Sequence, residues 1–156
     1  MGPSEIALRA EVVAEARSWL HTPYVSNGLV KGRRGGTDCA MLLVGVYQNV
    51  GLIPKDFDPR PYPANWHLHQ NEERYMNTVT QFCHSLAEGR APQAADLVLF
   101  HIGRTFAHGG IITAWPRIVH ARAPGAVLED DVLRNNTGKH ALSNMTMRFF
   151  TYWSEP

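Results

Sequence analysis

The chain has 156 residues, a length that fits one domain, and a domain of this size typically buries about 68–70% of its unfolded-chain surface. Hydrophobic residues make up 44% and charged residues 19%, which excludes intrinsic disorder because disorder requires low hydrophobicity and high net charge. The net charge of +1 is too small for the electropositive face that nucleic-acid binding needs. We therefore expect residues 1–156 to form a single domain that binds no nucleic acid.

No membrane span or leader is predicted. The longest apolar run extends from Ala40 to Val46, far short of the ~20 residues of a spanning helix. The first residues contain no basic region followed by an apolar one, which argues against a secretory signal peptide. The two cysteines are too few for a disulfide framework, so we expect a chain made in the cytoplasm and stabilised by its core.

Two helices are predicted in the first third of the chain. Apolar residues recur at helical spacing over about Ser4 to Leu20. The second segment, Asp38 to Gly51, leaves almost no polar face, which is typical of a buried helix. Asp38 occupies the N-cap position, so Cys39 falls in the first turn. Gly45 in the middle of this helix indicates close packing against a neighbour.

The rest of the chain is predicted to change from helix to strand. Residues 52–71 are rich in proline and form an irregular insertion loop, and Glu72 to Glu88 reads as a third helix. Beyond Pro92, short β-branched and aromatic runs separated by turn residues indicate strands at 96–102, 108–114, 118–121, 127–128 and 146–153. Helices followed by a meander of strands predict an α+β fold with an antiparallel sheet.

Cys39 has two interpretations. A free cysteine is commonly a small buried hydrophobe. At the start of a helix, however, the dipole and the unpaired N–H groups favour a thiolate, and the same N–H groups can stabilise an oxyanion. The residue and its position leave both interpretations open.

Two histidines are candidate partners for a cysteine nucleophile, which needs an imidazole to carry protons and a group to orient that imidazole. His108 precedes two glycines, which are expected to leave open space around its ring. His120 lies at the end of the next predicted strand, and the intervening turn can bring both rings to one face of the sheet, close enough to touch. The alternative is that each is a core histidine satisfied by its neighbours.

Five short motifs, taken in order, resemble those of the NlpC family of papain-like cysteine peptidases, which cut bacterial peptidoglycan. They are Pro23-Tyr24, Gly36-Thr37-Asp38-Cys39, Asp96-Leu97-Val98-Leu99-Phe100, Ala107-His108-Gly109-Gly110-Ile111 and Ile118-Val119-His120-Ala121. The resemblance covers residues 15 to about 125. Among the family, the chain most resembles the small members associated with phage, prophage and gene-transfer-agent tails.

The resemblance implies a fold and three catalytic residues. In the papain-like NlpC fold, the cysteine helix packs on an antiparallel sheet that carries both histidines. The implied nucleophile is Cys39, the general base and acid is His108, and the orienting third member is His120.

The resemblance also implies four substrate-binding residues: Tyr24, Asp38, Ala40 and Gly109. The Tyr24 hydroxyl is expected to line the site, and Asp38 to hold the free amine of the stem peptide. The family usually has serine at the position of Ala40, and that hydroxyl helps to recognise the same amine. Its replacement leaves Asp38 to bind the amine alone.

The implied reaction is hydrolysis of the stem-peptide amide between γ-D-glutamate and a diamino acid, through a thioester acyl-enzyme and with neither metal nor cofactor. Two alternatives stay open: an amidase or acyltransferase that uses the same thiolate and imidazole, and a non-enzymatic phage tail-tip subunit. The expected partners are the stem peptide and phage-like tail proteins. The protein is expected to reach the cell wall in a phage-like particle or on lysis.

A weaker zinc alternative rests on His67 and His69, together with His84, Cys83 or His101. Their spacing matches no common zinc pattern, so no metal site is predicted. Cys83 is expected to lie on the third helix and to pack in the core.

Overall fold

The computed structural model describes residues 4–62, 73–134 and 141–154, which adopt an α+β fold. Its helices are α1 (Glu5–Ser18), α2 (Cys39–Val50) and α3 (Arg74–Thr80). A small hairpin consists of β1 (Leu29–Val30) and β2 (Gly36–Thr37). The main sheet consists of β3 (His84–Ser85), β4 (Leu97–Ile102), β5 (Thr105–Ala114), β6 (Arg117–Ala121), β7 (Val127–Asp131) and β8 (Met147–Thr151).

The six strands of the main sheet are antiparallel and lie in the order β3-β8-β4-β5-β6-β7. The helices and one face of the sheet enclose the larger core cluster, to which Leu97 and Leu99 contribute. Alternate residues of the same strand, Val98 and Phe100, belong to a second cluster on the opposite face. No helix among the described residues has the length and apolar character needed to cross a bilayer.

Helix α2 begins and packs as the sequence predicts. Oδ1 of Asp38 accepts the backbone N–H of Met41 at 2.8 Å, which makes Asp38 the N-cap. A Cβ at Gly45 would lie 2.8 Å from Leu29 Cδ1 and 2.9 Å from Trp19 Cζ2, so this glycine lets the hairpin and α1 approach the helix. The N-cap fixes Cys39 as the first residue of α2.

The predicted third helix, Glu72 to Glu88, is wrong in its length. Helix α3 ends at Thr80, and His84–Ser85 pair with β8 as an edge strand. This pairing overrides the helical spacing of the apolar residues, because tertiary contacts outweigh intrinsic propensity. Cys83 therefore lies after the helix, where it is buried in the core as expected.

The remaining predicted strands exist, and β5 and β7 differ most from their predicted lengths. Strand β5 begins at Thr105, and β7 continues to Asp131. The acidic run 129–131 disfavours a strand intrinsically. It is tolerated because β7 is an edge of the sheet, where charged side chains also discourage pairing with another chain.

The described part of the insertion loop, residues 52–62, contains neither helix nor strand. The Gln48 side chain in α2 holds this segment by donating to the carbonyl oxygens of Pro54, Lys55 and Phe57 within 3.2 Å. Residues 63–71 lie outside the described residues, and so do His67 and His69 of the zinc alternative.

Candidate active site

Cys39 lines a cleft of about 280 Å³ together with Tyr24, His108 and Arg122. The residue is 9% exposed, and its Sγ donates to the carbonyl oxygen of Ala107 at 3.7 Å. Helix α2 packs its first turn toward β5, which brings the sulfur to the residue immediately before His108. The structure thus places Cys39 and His108 in the same cleft.

The two histidines are in contact, as their spacing predicts. Nε2 of His108 lies 2.8 Å from Nδ1 of His120, a hydrogen bond between rings whose centroids are 5.1 Å apart. The antiparallel pairing of β5 with β6 brings them to one face of the sheet. Because Nε2 of His108 is hydrogen-bonded to His120, Nδ1 is the ring nitrogen that remains to accept the proton of the Cys39 thiol.

The helix start at Cys39 favours a thiolate, but in the structure burial opposes it, and the free site holds a neutral thiol. Burial, with a smaller contribution from Asp38, raises the pKa of Cys39 to about 12. The backbone N–H groups of Cys39 and Ala40 lower the pKa, as a helix start should, but they are outweighed.

The His108 ring is neutral as well. Burial, followed by the charges of His120 and Arg122, holds the pKa of His108 well below its usual range. Because the thiol and the imidazole are both uncharged in the free site, a proton must move between them during the reaction rather than before it.

Asp38 is occupied by contacts within the protein. Its Oδ1 caps α2 through Met41, and its Oδ2 accepts the backbone N–H of Asn27 at 2.7 Å and the Tyr62 hydroxyl at 2.6 Å. The residue is only 2% exposed. The structure therefore shows Asp38 as an N-cap and a loop anchor.

Ala40 is half-buried and faces a second groove of about 300 Å³, lined also by Tyr62, Arg74 and Tyr75. Cys39 lines the other cleft, so the two neighbouring residues face different spaces.

Gly109 packs closely against the Tyr75 side chain. Gly109 is buried, and a Cβ there would lie 2.6 Å from the Tyr75 hydroxyl. The glycine lets Tyr75 lie against β5 and donate to the backbone carbonyl of Cys39 at 2.8 Å. The missing side chain at Gly109 thus makes room for Tyr75.

Tyr24 is half-buried in the cleft that contains Cys39. Burial, followed by the nearby Cys39 and Asp38, raises the pKa of Tyr24 above its ordinary value. Its hydroxyl therefore stays protonated across the physiological range and can donate a hydrogen bond to a substrate.

Sequence reasoning missed four residues around the site: Tyr62, Tyr75, Arg122 and Asp130. Tyr75 is indistinguishable by periodicity from a core residue of its helix, and Tyr62 lies in a loop without periodicity. Arg122 stands two positions after His120 and lines the cleft. Oδ2 of Asp130 lies 3.5 Å from Nε2 of His120, a contact that the adjacent strand could have indicated had β7 been predicted at its full length.

Within residues 4–62, 73–134 and 141–154, no three His, Cys, Asp or Glu side chains gather where one metal ion could bind.

Comparison with known proteins gives structural matches only. No protein-family model and no curated protein sequence matches the chain. The NlpC/p60 domain of the peptidoglycan hydrolase SagA matches 90% of this chain and 96% of its own length, with a TM-score of 0.57 and 20% identity. NlpC1 from Trichomonas vaginalis matches 99% of the chain with a TM-score of 0.65 and 11% identity, and the chain spans about half of that protein (47%).

A third match is RipD from Mycobacterium tuberculosis, described as a non-catalytic NlpC/p60 domain protein adapted to peptidoglycan binding. It covers 94% of this chain and 98% of its own length, with a TM-score of 0.56 and 13% identity. The sequence identities are low, so these likenesses establish the architecture rather than the activity. The chain has the papain-like α+β fold of NlpC/p60 domains.

Proposed function

We propose that the protein is a cysteine peptidase that hydrolyses amide bonds in the stem peptides of peptidoglycan. The observation that carries this proposal is that Cys39 and His108 line one cleft while His120 holds the His108 ring at 2.8 Å. A nucleophile, a base and an orienting group are thereby combined. The substrate class is supported by the fold that the chain shares with the domain of SagA, a peptidoglycan hydrolase.

In the proposed reaction, substrate enters the cleft and the Cys39 thiol breaks its hydrogen bond to the Ala107 carbonyl oxygen. The thiol then donates a hydrogen bond to Nδ1 of His108 instead. Nδ1 takes the thiol proton while the sulfur attacks the carbonyl carbon of the amide. The backbone N–H groups of Cys39 and Ala40, at the start of α2, stabilise the oxygen as it becomes negative.

The intermediate then collapses to a thioester as His108 gives its proton to the leaving amine. In the second half of the reaction, His108 takes a proton from water, and the resulting hydroxide adds to the thioester carbon. Collapse of this second intermediate releases the carboxylic acid product, and the proton held by His108 returns to the Cys39 sulfur. At the end of the cycle, Cys39 and His108 have returned to their starting protonation states.

We further propose that the bond cleaved lies between γ-D-glutamate and the diamino acid. A γ-linked glutamate keeps its α-carboxylate close to the scissile amide. Arg122 lines the cleft, and its charge reaches His108. An arginine guanidinium binds carboxylates through paired hydrogen bonds, so its place in the cleft supports an acidic substrate of this kind.

Digestion of purified muropeptides followed by mass spectrometry tests the proposal. Wild-type protein and Cys83→Ala should release new termini between D-glutamate and the diamino acid, whereas Cys39→Ala should release none. Cys83 is the matched control because it is also a buried free cysteine. Cleavage between muramic acid and the peptide would indicate an amidase, and transfer to an added amine an acyltransferase. Peptidoglycan binding without cleavage by the wild type would favour a non-catalytic role.

We also propose that the protein reaches its substrate as part of a phage-like particle, the setting that its resemblance to tail-associated family members implies. Sequencing of the neighbouring genes tests this setting separately from the chemistry. Tail genes on both sides would support it, and housekeeping genes would contradict it.

A further inference from the structure

The His120 ring has one nitrogen that the hydrogen bond to His108 does not use. His120 is fully buried, and among the described residues its Nε2 makes no hydrogen bond. A buried polar nitrogen without a partner costs free energy, and such groups in native structures call for an explanation. The carboxylate oxygen Oδ2 of Asp130 lies 3.5 Å from this nitrogen, slightly beyond hydrogen-bond length.

The pairing register of β6 and β7 places Asp130 next to His120. In the β6–β7 pair, His120 is opposite Leu128 and Ile118 is opposite Asp130, so His120 and Asp130 are diagonal neighbours. Diagonal side chains on one face of an antiparallel pair lie within reach of each other. A shift of about 0.3 Å would bring the two atoms to the upper end of hydrogen-bond length.

The two acidic residues that flank Asp130, Glu129 and Asp131, form hydrogen bonds elsewhere. Glu129 bonds to Arg17 and Thr113, and Asp131 accepts the backbone N–H groups of Leu133 and Arg134. Side chains alternate along a strand, so these two carboxylates lie on the opposite face of β7 from Asp130. Asp130 is therefore the member of the acidic run whose carboxylate lies near the imidazole.

We propose that Asp130 is a positioning residue that acts through His120 to set which nitrogen of each histidine carries a proton. This inference rests on the proposed peptidase function. The Asp130 carboxylate can only accept, so it favours a proton on Nε2 of His120. Nδ1 of His120 is then unprotonated and accepts a hydrogen bond from the Nε2–H of His108. Nδ1 of His108 is consequently unprotonated too and can accept the thiol proton.

The opposite arrangement would disable the site. If His120 carried its proton on Nδ1, that nitrogen would donate to Nε2 of His108, and a neutral His108 would then have to carry its proton on Nδ1. The nitrogen that must serve as the base would already be occupied. Asp130 selects between these two states by accepting a hydrogen bond, and no proton passes to it.

Nitrogen-15 NMR of histidine-labelled protein reads the ring protons directly. In the wild type, Nε2 of both His108 and His120 should show the shift of a protonated nitrogen and both Nδ1 atoms that of a bare one. In Asp130→Ala, the signals should move toward a mixture of the two states. In Asp130→Asn, the amide oxygen can still accept the Nε2–H, so the wild-type pattern should largely return.

Kinetics on muropeptides provide the second measurement. Asp130→Ala should lower kcat by about ten- to a hundredfold with KM nearly unchanged, since misplacing a histidine proton impairs chemistry rather than binding. Asp130→Asn should recover part of that loss. Asp131→Asn removes the same charge one residue away and is the matched control, with kcat expected at the wild-type level.

Wild-type ring signals and wild-type kcat in a folded Asp130→Ala variant would overturn the inference. Equal losses in Asp130→Asn and Asp131→Asn would also overturn it, because the effect would then follow net charge and not the contact. If the wild type cleaves nothing, the proposed function fails. The NMR comparison would still decide whether Asp130 sets the ring protons, so the two failures are distinguishable.

Discussion

The hydroxyl of Tyr62 donates a hydrogen bond of 2.6 Å to Oδ2 of Asp38 at the start of the helix that carries Cys39. The same oxygen accepts the backbone N–H of Asn27, and Asp38 is nearly inaccessible to solvent. An incoming amine could reach this carboxylate only by displacing Tyr62. Tyr62 of the insertion loop thus covers the position that the family resemblance assigns to the free amine of the stem peptide. We therefore do not expect the proposed peptidase to require that amine.

Replacing Tyr62 with phenylalanine should reopen this position. The wild type should cleave a free tripeptide stem and the same stem linked to muramic acid at similar rates. In Tyr62→Phe, a charge-assisted bond between the amine and Asp38 becomes available, worth about 1.5–3 kcal/mol or roughly ten- to a hundredfold. Values of kcat/KM for both substrates measure the preference. A strong wild-type preference for the free amine would contradict the prediction.

The reactivity of Cys39 toward iodoacetamide should rise with pH across the alkaline range. Alkylation requires the thiolate, and burial together with Asp38 raises the pKa of Cys39 to about 12. Below that pH the thiolate fraction grows about tenfold with each pH unit, so the rate should climb without levelling off between pH 7 and about 10. The Cys83→Ala background leaves one thiol to follow by mass spectrometry. A plateau reached in the acidic range would reveal a preformed thiolate–imidazolium pair and contradict the neutral site.

Substitutions at His120 should separate orientation from packing. In the proposed proton arrangement, Nδ1 of His120 accepts the hydrogen bond of 2.8 Å from Nε2 of His108. An amide oxygen can take that position, so His120→Asn or His120→Gln should keep part of kcat, while His120→Ala should lose about 10²-fold or more, the usual contribution of a working general base. Muropeptide kinetics provide the measurement. Equal losses in all three variants would mean that His120 acts through volume alone.

Features of the fold that depend on short sequence separation could be predicted. The N-cap at Asp38 and the first-turn position of Cys39 follow from neighbouring residues in the chain. The contact between His108 and His120 follows from two strands joined by a short turn. In each case the residues that determine the contact are close in sequence, so capping preferences and strand pairing are sufficient to predict it.

Contacts between distant segments could not be predicted. Tyr62 and Tyr75 reach Asp38 and Cys39 from 24 and 36 residues away, and neither the loop nor the short helix has a pattern that reveals its docking position. The packing of Tyr75 against Gly109 could not be predicted for the same reason. A glycine beside a histidine suggests open space until the side chain that fills the space is known.

Gly109→Ala should destabilise the protein because its methyl group would collide with Tyr75. A Cβ at this position would lie 2.6 Å from the Tyr75 hydroxyl and 3.0 Å from its ring. Overpacking of this kind costs about 1–3 kcal/mol in the free energy of unfolding, which urea denaturation measures. Tyr75→Phe removes the closest atom, so Gly109→Ala should cost less in that background. Equal costs in both backgrounds would show that the strain lies elsewhere.

Arg122→Gln should remove a preference for an acidic substrate. Arg122 lines the cleft beside Cys39 and His108, where the proposed substrate carries the α-carboxylate of γ-linked D-glutamate. The wild type should therefore cleave the α-carboxylate stem faster than the same stem with an α-carboxamide. Loss of a hydrogen bond to a charged group costs about 1.5–3 kcal/mol, so kcat/KM for the carboxylate should fall roughly ten- to a hundredfold, with a much smaller change for the carboxamide.

Arg117→Gln is the matched control for this experiment. Arg117 lies at the start of β6, four positions before Ala121 at its end, and its half-exposed side chain contacts Glu129 at 3.8 Å. Removing it changes the net charge by the same amount as Arg122→Gln, so both substrates should react at the wild-type rate. The ratio of the kcat/KM values for the two stems is the decisive quantity, because a general loss of folded protein lowers both values equally. If Arg122→Gln slows both stems equally, Arg122 acts on His108 through its charge, and substrate recognition by this residue is disproved.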